Sequence, residues 1–155
     1  MNFNCSEQLA GFGKISLYLL EETGNWPLVL TDQNSAQIDL QPYEVDIEGV
    51  IEPDSISISD KPKLSDEGNT WPIDIQFSYL SRGEAMEQLL EQYANRPCIV
   101  VACTNYGPQK LYGSNQEPLY MNWENNNGEK IEDRAGVNIR IKGDARQRPV
   151  FYNLQ

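Results

Sequence analysis

Histidine is absent from all 155 residues of this chain. Its absence excludes the Ser-His-Asp and Cys-His arrangements, the side chain that titrates nearest neutral pH, and nearly all catalytic zinc sites. Cysteine is scarce: Cys5, Cys98 and Cys103 are an odd number. Cys98 and Cys103 flank an apolar run and stand five residues apart, which on a regular strand sends their side chains to opposite faces. They are poor disulfide partners and read as small buried hydrophobes. No apolar run approaches the ~20 residues of a membrane-spanning helix. Met1-Asn2-Phe3-Asn4-Cys5 lacks the basic start and apolar stretch of a signal peptide. The expectation is a protein made in a cytoplasm, with no membrane partner. Basic residues are also few, 12 Lys+Arg against 23 Asp+Glu, for a net charge of −11. A basic nucleic-acid patch is therefore not its main theme.

Sequence motifs for chemistry are missing as well. There is no phosphate loop, dinucleotide fingerprint, CxxC pair or helical His pair, and the carboxylates of Asp54–Asp66 do not follow calcium-loop spacing. With 23 acidic residues, some pair falls at glycosidase distance by chance. No catalytic, cofactor-binding or metal-ligating residue is assigned, no cofactor is expected, and the chain is read as a non-enzyme. A hydrolase working through carboxylates is the weakest alternative.

What is present is β-patterning around one helix. The length suits one domain, 1–155, with a real core and no need of metal or disulfide staples, and polar loops near 31–37, 60–70 and 124–135. Ile15–Leu20 reads as a strand, with 26–30 as a hairpin partner weakened by Pro27. Residues 38–51 partly alternate apolar with acidic, and 56–59 repeats the pattern. Trp71, Ile73, Ile75, Phe77 and Tyr79 alternate cleanly. A helix is expected over about 82–95. Ser81-Arg82-Gly83-Glu84 forms a capping box, Met86, Leu89, Leu90 and Tyr93 form one apolar stripe, and Arg96-Pro97 stops it. Strands follow at 98–103, 109–113, 119–123 and 137–143, with Val137, Ile139 and Ile141 inward and Asn138, Arg140 and Lys142 outward. Asn127-Gly128 signals a hairpin turn, and 149–152 closes the domain. Trp26, Trp71, Trp123 and the eight tyrosines could stack on sugars, but most of them fall in phase with apolar strand faces, which favours core packing.

Charge is divided along the chain. Residues 1–80 carry 14 acidic and 3 basic side chains, and residues 81–155 carry 9 of each, so the first half holds the whole imbalance. Between Lys130 and Arg148 there are six basic and three acidic residues. In an assembly this zone would complement the acidic half of a neighbouring copy, and such head-to-tail contacts build rings when the rotation closes. Arg134, Arg140, Lys142, Arg146 and Arg148 are the candidate interface residues.

Several segments together resemble a family. They are the early Cys5, Gly-Phe-Gly-Lys-Ile-Ser-Leu-Tyr-Leu at 11–19, the helix leading into an apolar strand, Leu111-Tyr112-Gly113-Ser114, Pro118-Leu119, and Asp133-Arg134-Ala135-Gly136-Val137 with Gly143. This is similar to small tail and neck structural proteins of phages and prophages infecting Bacteroidota. The resemblance implies a tail-tube-like fold, a β-sandwich or barrel with one flanking helix. It further implies a homo-oligomeric ring in the virion (tail tube, terminator or connector) that meets neighbouring virion proteins and encloses DNA without reading its sequence. The alternative is a β-sandwich carbohydrate- or protein-binding module of a fibre or surface assembly. A variant with all three cysteines changed to serine is expected to assemble still. Assembly lost in that variant, and in the parent dependent on oxidant or zinc, would contradict the structural reading of the thiols.

Overall fold

The computed structural model describes residues 2–4, 12–40, 55–79, 84–104, 108–126 and 136–152. Among these the strands are β1 (Asn2–Asn4), β2 (Phe12–Leu19), β3 (Thr23–Gly24), β4 (Asp39–Leu40), β5 (Ser57–Ser59) and β6 (Trp71–Tyr79). After the helix α1 (Glu84–Tyr93) come β7 (Cys98–Thr104), β8 (Gln109–Tyr112), β9 (Tyr120–Asn126), β10 (Gly136–Ala145) and β11 (Val150–Tyr152). Among the described residues all strand pairs are antiparallel. One sheet has the order β1-β2-β7-β8-β11, a second β5-β6-β10-β9, and β3 with β4 forms a small third ladder. Among the described residues the protein is mainly β, a sandwich with one α-helix, in agreement with its patterning.

The period-2 segments decide what lies between the two large sheets. From the five-stranded sheet come Ile15, Leu17, Leu19, Cys98, Val100, Ala102 and Tyr112. From the four-stranded sheet come Ile73, Ile75, Phe77, Tyr79, Met121, Val137, Ile139 and Ile141, and all of these form one buried cluster. Trp71 and Trp123 are half-buried against it, so their phase with the apolar faces does reflect packing.

β7 is apolar on both faces. Ile99 and Val101 point away from the sandwich into a second cluster with Leu111, Val150, Tyr152 and Ile38. Strands buried on both faces read as continuous apolar runs, and 98–103 is such a run. Its cover is the segment 20–40, through Leu20, Trp26, Leu30 and Leu40. This corrects the hairpin expectation for 26–30: no strand forms there, and β2 pairs with β7 and β1 instead. Pro27 removes a ladder donor, and Trp26 and Leu30 pack instead against the cluster on the second face of β7. The loop expected near 31–37 is a compact 3-10 turn, Ser35–Gln37.

A joint at Leu119 couples the two sheets. Its N–H donates to Cys98 O at 2.8 Å, and Cys98 N–H donates back to Leu119 O at 2.9 Å. The chain thus leaves one sheet and enters the other as β9. Two glycines make the space: a Cβ added at Gly143 would lie 2.5 Å from Leu119 Cδ2 and 3.0 Å from Pro118 O. At Gly113 it would lie 3.0 Å from Leu119 Cγ, on a backbone with φ +88, a region only glycine enters freely.

The helix closes one side of the sandwich. Met86, Leu90 and Tyr93 are buried, while Leu89 packs at the margin, half-buried. Tyr93 is the last helical residue. Ala94 bridges to Met121, and Asn95, with φ 57, donates its N–H to Met121 O at 3.0 Å. This left-handed residue is an αL stop, so the helix ends at Tyr93, two positions before the expected end at 95. Residues 81–83 of the capping box, the alternation at 41–51 and Asn127-Gly128 lie outside the described residues. Asn126 and Gly136 are paired neighbours on β9 and β10.

The stripe orders two substitutions. Leu90→Ala removes a wholly buried side chain and should cost about 2–5 kcal/mol. Leu89→Ala should cost less than half as much. Denaturant unfolding measures both, and equal losses would contradict this placement of the helix.

Candidate interaction surfaces

The outer face of the four-stranded sheet is a polar grid fixed by register. Ser78, Asn138 and Glu124 form one row across β6, β10 and β9. Ser57, Gln76, Arg140 and Asn122 form the next, and Ser59, Asp74, Lys142 and Tyr120 the third. Each is the outward partner of an inward apolar neighbour, since side chains alternate. Within the grid, Arg140 Nη2 donates to Asp74 Oδ2 at 2.8 Å and its Nε to Oδ1 at 3.2 Å, a two-point contact along the cross-strand diagonal. The Arg140 hydrogen bonds hold the Asp74 carboxyl below its ordinary range, with burial opposing. Ser78 Oγ donates to Asn138 Oδ1 at 2.7 Å. The middle of the face dips into an open depression of about 460 Å³, and Tyr120 stands 45% exposed at its corner.

A second surface lies where segment 25–35 meets β11. Asp32 Oδ1 accepts the Phe151 N–H at 3.0 Å, and Ser35 Oγ, fully buried, donates to Phe151 O at 2.7 Å. Two side chains thus occupy the backbone positions an added strand would use, which blocks this sheet edge. Asp32 Oδ2 also takes Arg148 Nη2 at 2.6 Å. The Arg148 bond first, then the Phe151 N–H, hold the Asp32 carboxyl below its ordinary value of 3.8. Asn34 Nδ2 donates to Val29 O and its Oδ1 accepts the Thr31 N–H, both at 2.7 Å. Trp26 Nε1 donates to Thr23 Oγ1 at 2.8 Å. So braced, the loop presents Leu28 at 94% and Val29 at 67% exposure. Beside them runs a groove of about 300 Å³, at the small end of the roughly 300–1,000 Å³ range of ligand sites. The buried Ile73, Leu111, Ala145 and Val150 contribute to its lining, and Arg146 stands at its side.

A third feature is an arm. Residues 61–69 are all exposed, with Leu64 at 76%. Its root is tied down: Lys63 and Thr70 exchange backbone hydrogen bonds at 2.7 and 3.0 Å, and Asp60 pairs with Lys110 at 2.7 Å. Ser65 Oγ donates to Gly68 O at 2.6 Å and shapes the tip.

The five residues named from sequence are distributed as follows. Arg140 and Lys142 sit together on the polar grid, as their phase required. Arg146 and Arg148 flank the groove, and Arg134 lies outside the described residues. Three of the arginines have acidic partners in their own chain: Arg140 with Asp74, Arg148 with Asp32, and Arg146 with Glu117 at 3.7 Å. Sequence reasoning missed Leu28, Val29 and Leu64. A lone leucine in the polar run 60–70 was the available signal. Among the described residues no group of three or more His, Cys, Asp or Glu is placed to hold a metal ion. Cys98 donates its thiol to Leu119 O at 3.2 Å, and burial pushes it up to about 12, so it stays an unreactive thiol.

No family model, curated protein or solved structure matches this chain.

Asp32 gives a pH test. Asp32→Ala removes a charged partner from the Phe151 N–H and from Arg148, and should cost about 1–3 kcal/mol at pH 7. Because its folded pKa is depressed, this stabilisation is present above 3.8 and is lost as pH falls through the lower folded value. The gap between parent and variant in denaturant unfolding should therefore narrow at acid pH. A gap unchanged down to pH 2 would contradict the ionic role.

Proposed function

We propose that this chain is a structural, self-assembling subunit, and more specifically a ring component of a phage tail or neck around the DNA channel. The observation that carries this reading is the pair of braced apolar projections. Leu28 and Val29 are held out by Asn34 and Trp26, and Leu64 is held out on an arm tied at its root. Apolar side chains fixed in water by hydrogen bonds in the surrounding loop suit a surface that another protein covers. The two projections differ from each other, and contacts between unlike surfaces propagate head to tail and close as rings. The blocked edge at β11 supports the same reading, because it diverts association from strand pairing to side-chain surfaces.

The finer assignment draws on the resemblance to virion proteins of Bacteroidota phages and prophages, and on charge. A net −11 repels DNA, which suits a wall along which DNA slides without sticking and without sequence readout. In this reading the protein is made in the host bacterial cytoplasm and resides in the virion, where it meets copies of itself and neighbouring virion proteins. Tube, terminator and connector positions all fit. Among the described residues no helix is long and apolar enough to cross a membrane.

One observation favours a second reading, a carbohydrate-binding module of a fibre. The polar grid offers amide, hydroxyl and carboxylate groups beside the exposed ring of Tyr120. Such a module would be monomeric, and Tyr120→Ala would abolish glycan binding.

Sedimentation separates the two. The purified protein should form a closed multi-subunit species that grows with protein concentration. It should shift toward smaller species as salt rises past 0.1 M, where the Debye length is about 10 Å. A monomer at every concentration and salt would contradict the assembly proposal.

A further inference from the structure

We infer that the arm 61–69 of one copy docks in the groove beside Leu28 and Arg146 of the next, with Leu64 entering the groove. This rests on the self-assembly reading and specifies its contact. The arm does not serve its own chain in this way: Leu64 is 76% exposed and does not line its own groove. Arm and groove are complementary in three respects. The first is polarity. Leu64 is the lone large apolar side chain of an otherwise polar arm, and four buried apolar residues, Ile73, Leu111, Ala145 and Val150, contribute to the groove's lining. The second is size. About 300 Å³ holds on the order of ten waters at about 30 Å³ each, a volume that an aliphatic side chain and its immediate neighbours displace. The third is charge. Asp66 and Glu67 follow Leu64 at the arm's tip, and Arg146 stands 91% exposed beside the groove. Its 3.7 Å contact with Glu117 is long, whereas Arg148 is committed to Asp32 at 2.6 Å, so Arg146 is the arginine that turns to a neighbour. The contact is also prepared in advance. The Asp60–Lys110 pair and the Lys63–Thr70 hydrogen bonds fix the arm's root, while Asn34 and Gln147 fix the groove's loop through Val29 O and Leu30 O. Ordering before association reduces what binding must spend on entropy.

The test uses the full chain with exposed positions only, so that folding is preserved and is checked by the unfolding midpoint. In sedimentation, Leu64→Asp should raise the concentration needed for assembly at least tenfold. Glu67→Arg and Arg146→Glu should each raise it several-fold, and their combination should restore assembly toward the parent. Chains carrying Leu64→Cys, mixed with chains carrying Leu28→Cys, should form a disulfide-linked heterodimer that neither forms alone. If the parent assembles and Leu64→Asp assembles equally well, the arm–groove contact is wrong while self-assembly stands. If the charge exchange restores nothing, Arg146 is not the partner of the tip and the contact as stated fails. A parent that is monomeric throughout overturns both readings. A closed two-fold dimer that Leu64→Asp dissociates keeps the contact and overturns the ring.

Discussion

Leu119 exchanges two backbone hydrogen bonds with Cys98 and places its side chain against Gly113 and Gly143. Through this joint the chain passes from the five-stranded sheet to the four-stranded one. Everything between the sheets depends on the spacing it sets, because buried side chains interdigitate at near-crystalline density and tolerate little displacement. The joint also explains why a thiol stands at 98. Its Sγ donates to the same Leu119 carbonyl, at a fully buried position where an unpaired charge would lose its solvation. Gly113, Pro118-Leu119 and Gly143, which contribute to the phage-protein resemblance, are therefore three parts of one corner.

From that corner outward, the molecule meets its polar obligations with side chains. Asp32 and Ser35 satisfy the outward backbone groups of β11 at Phe151, and Ser55 Oγ accepts the Ser78 N–H beside β5 at 3.1 Å. Acidic residues of the first half do much of this work: Asp32 and Asp74 each hold an arginine from the second half. The charge division along the chain is thus partly neutralised within one fold, which leaves less of it for a neighbour than the sequence suggests. The remaining basic side chain at the groove, Arg146, is the one whose acidic partner lies farthest away.

Strand identity was legible where one face is wet and one dry. Residues 71–79 and 137–143 show period 2, and both became long paired strands. The helix was legible from its apolar stripe, and the outward phase of Arg140 and Lys142 from the same alternation. Pairing was not, because β2 meets β7 and β6 meets β10 across long separations that local patterns do not encode. The hairpin expected at 26–30 fails for a related reason. Trp26, Leu30, Ile38 and Leu40 cover the second face of β7 with irregular spacing, so no period reports their burial. An apolar run such as 98–103 is the pattern of a strand covered on both faces, but it does not say which residues supply the cover. The interaction surfaces were the least legible part. Exposed leucines become visible only once the loops around them are placed, and Arg146 and Arg148 differ in availability only through their distances to Glu117 and Asp32.

An image of the assembled protein tests the central claim most directly. Electron microscopy of the purified chain at low salt should show closed rings of one symmetry, each with a central opening wide enough for duplex DNA and with density bridging neighbours at the arm. Isolated single subunits, or compact two-fold pairs with no central opening, would contradict the account.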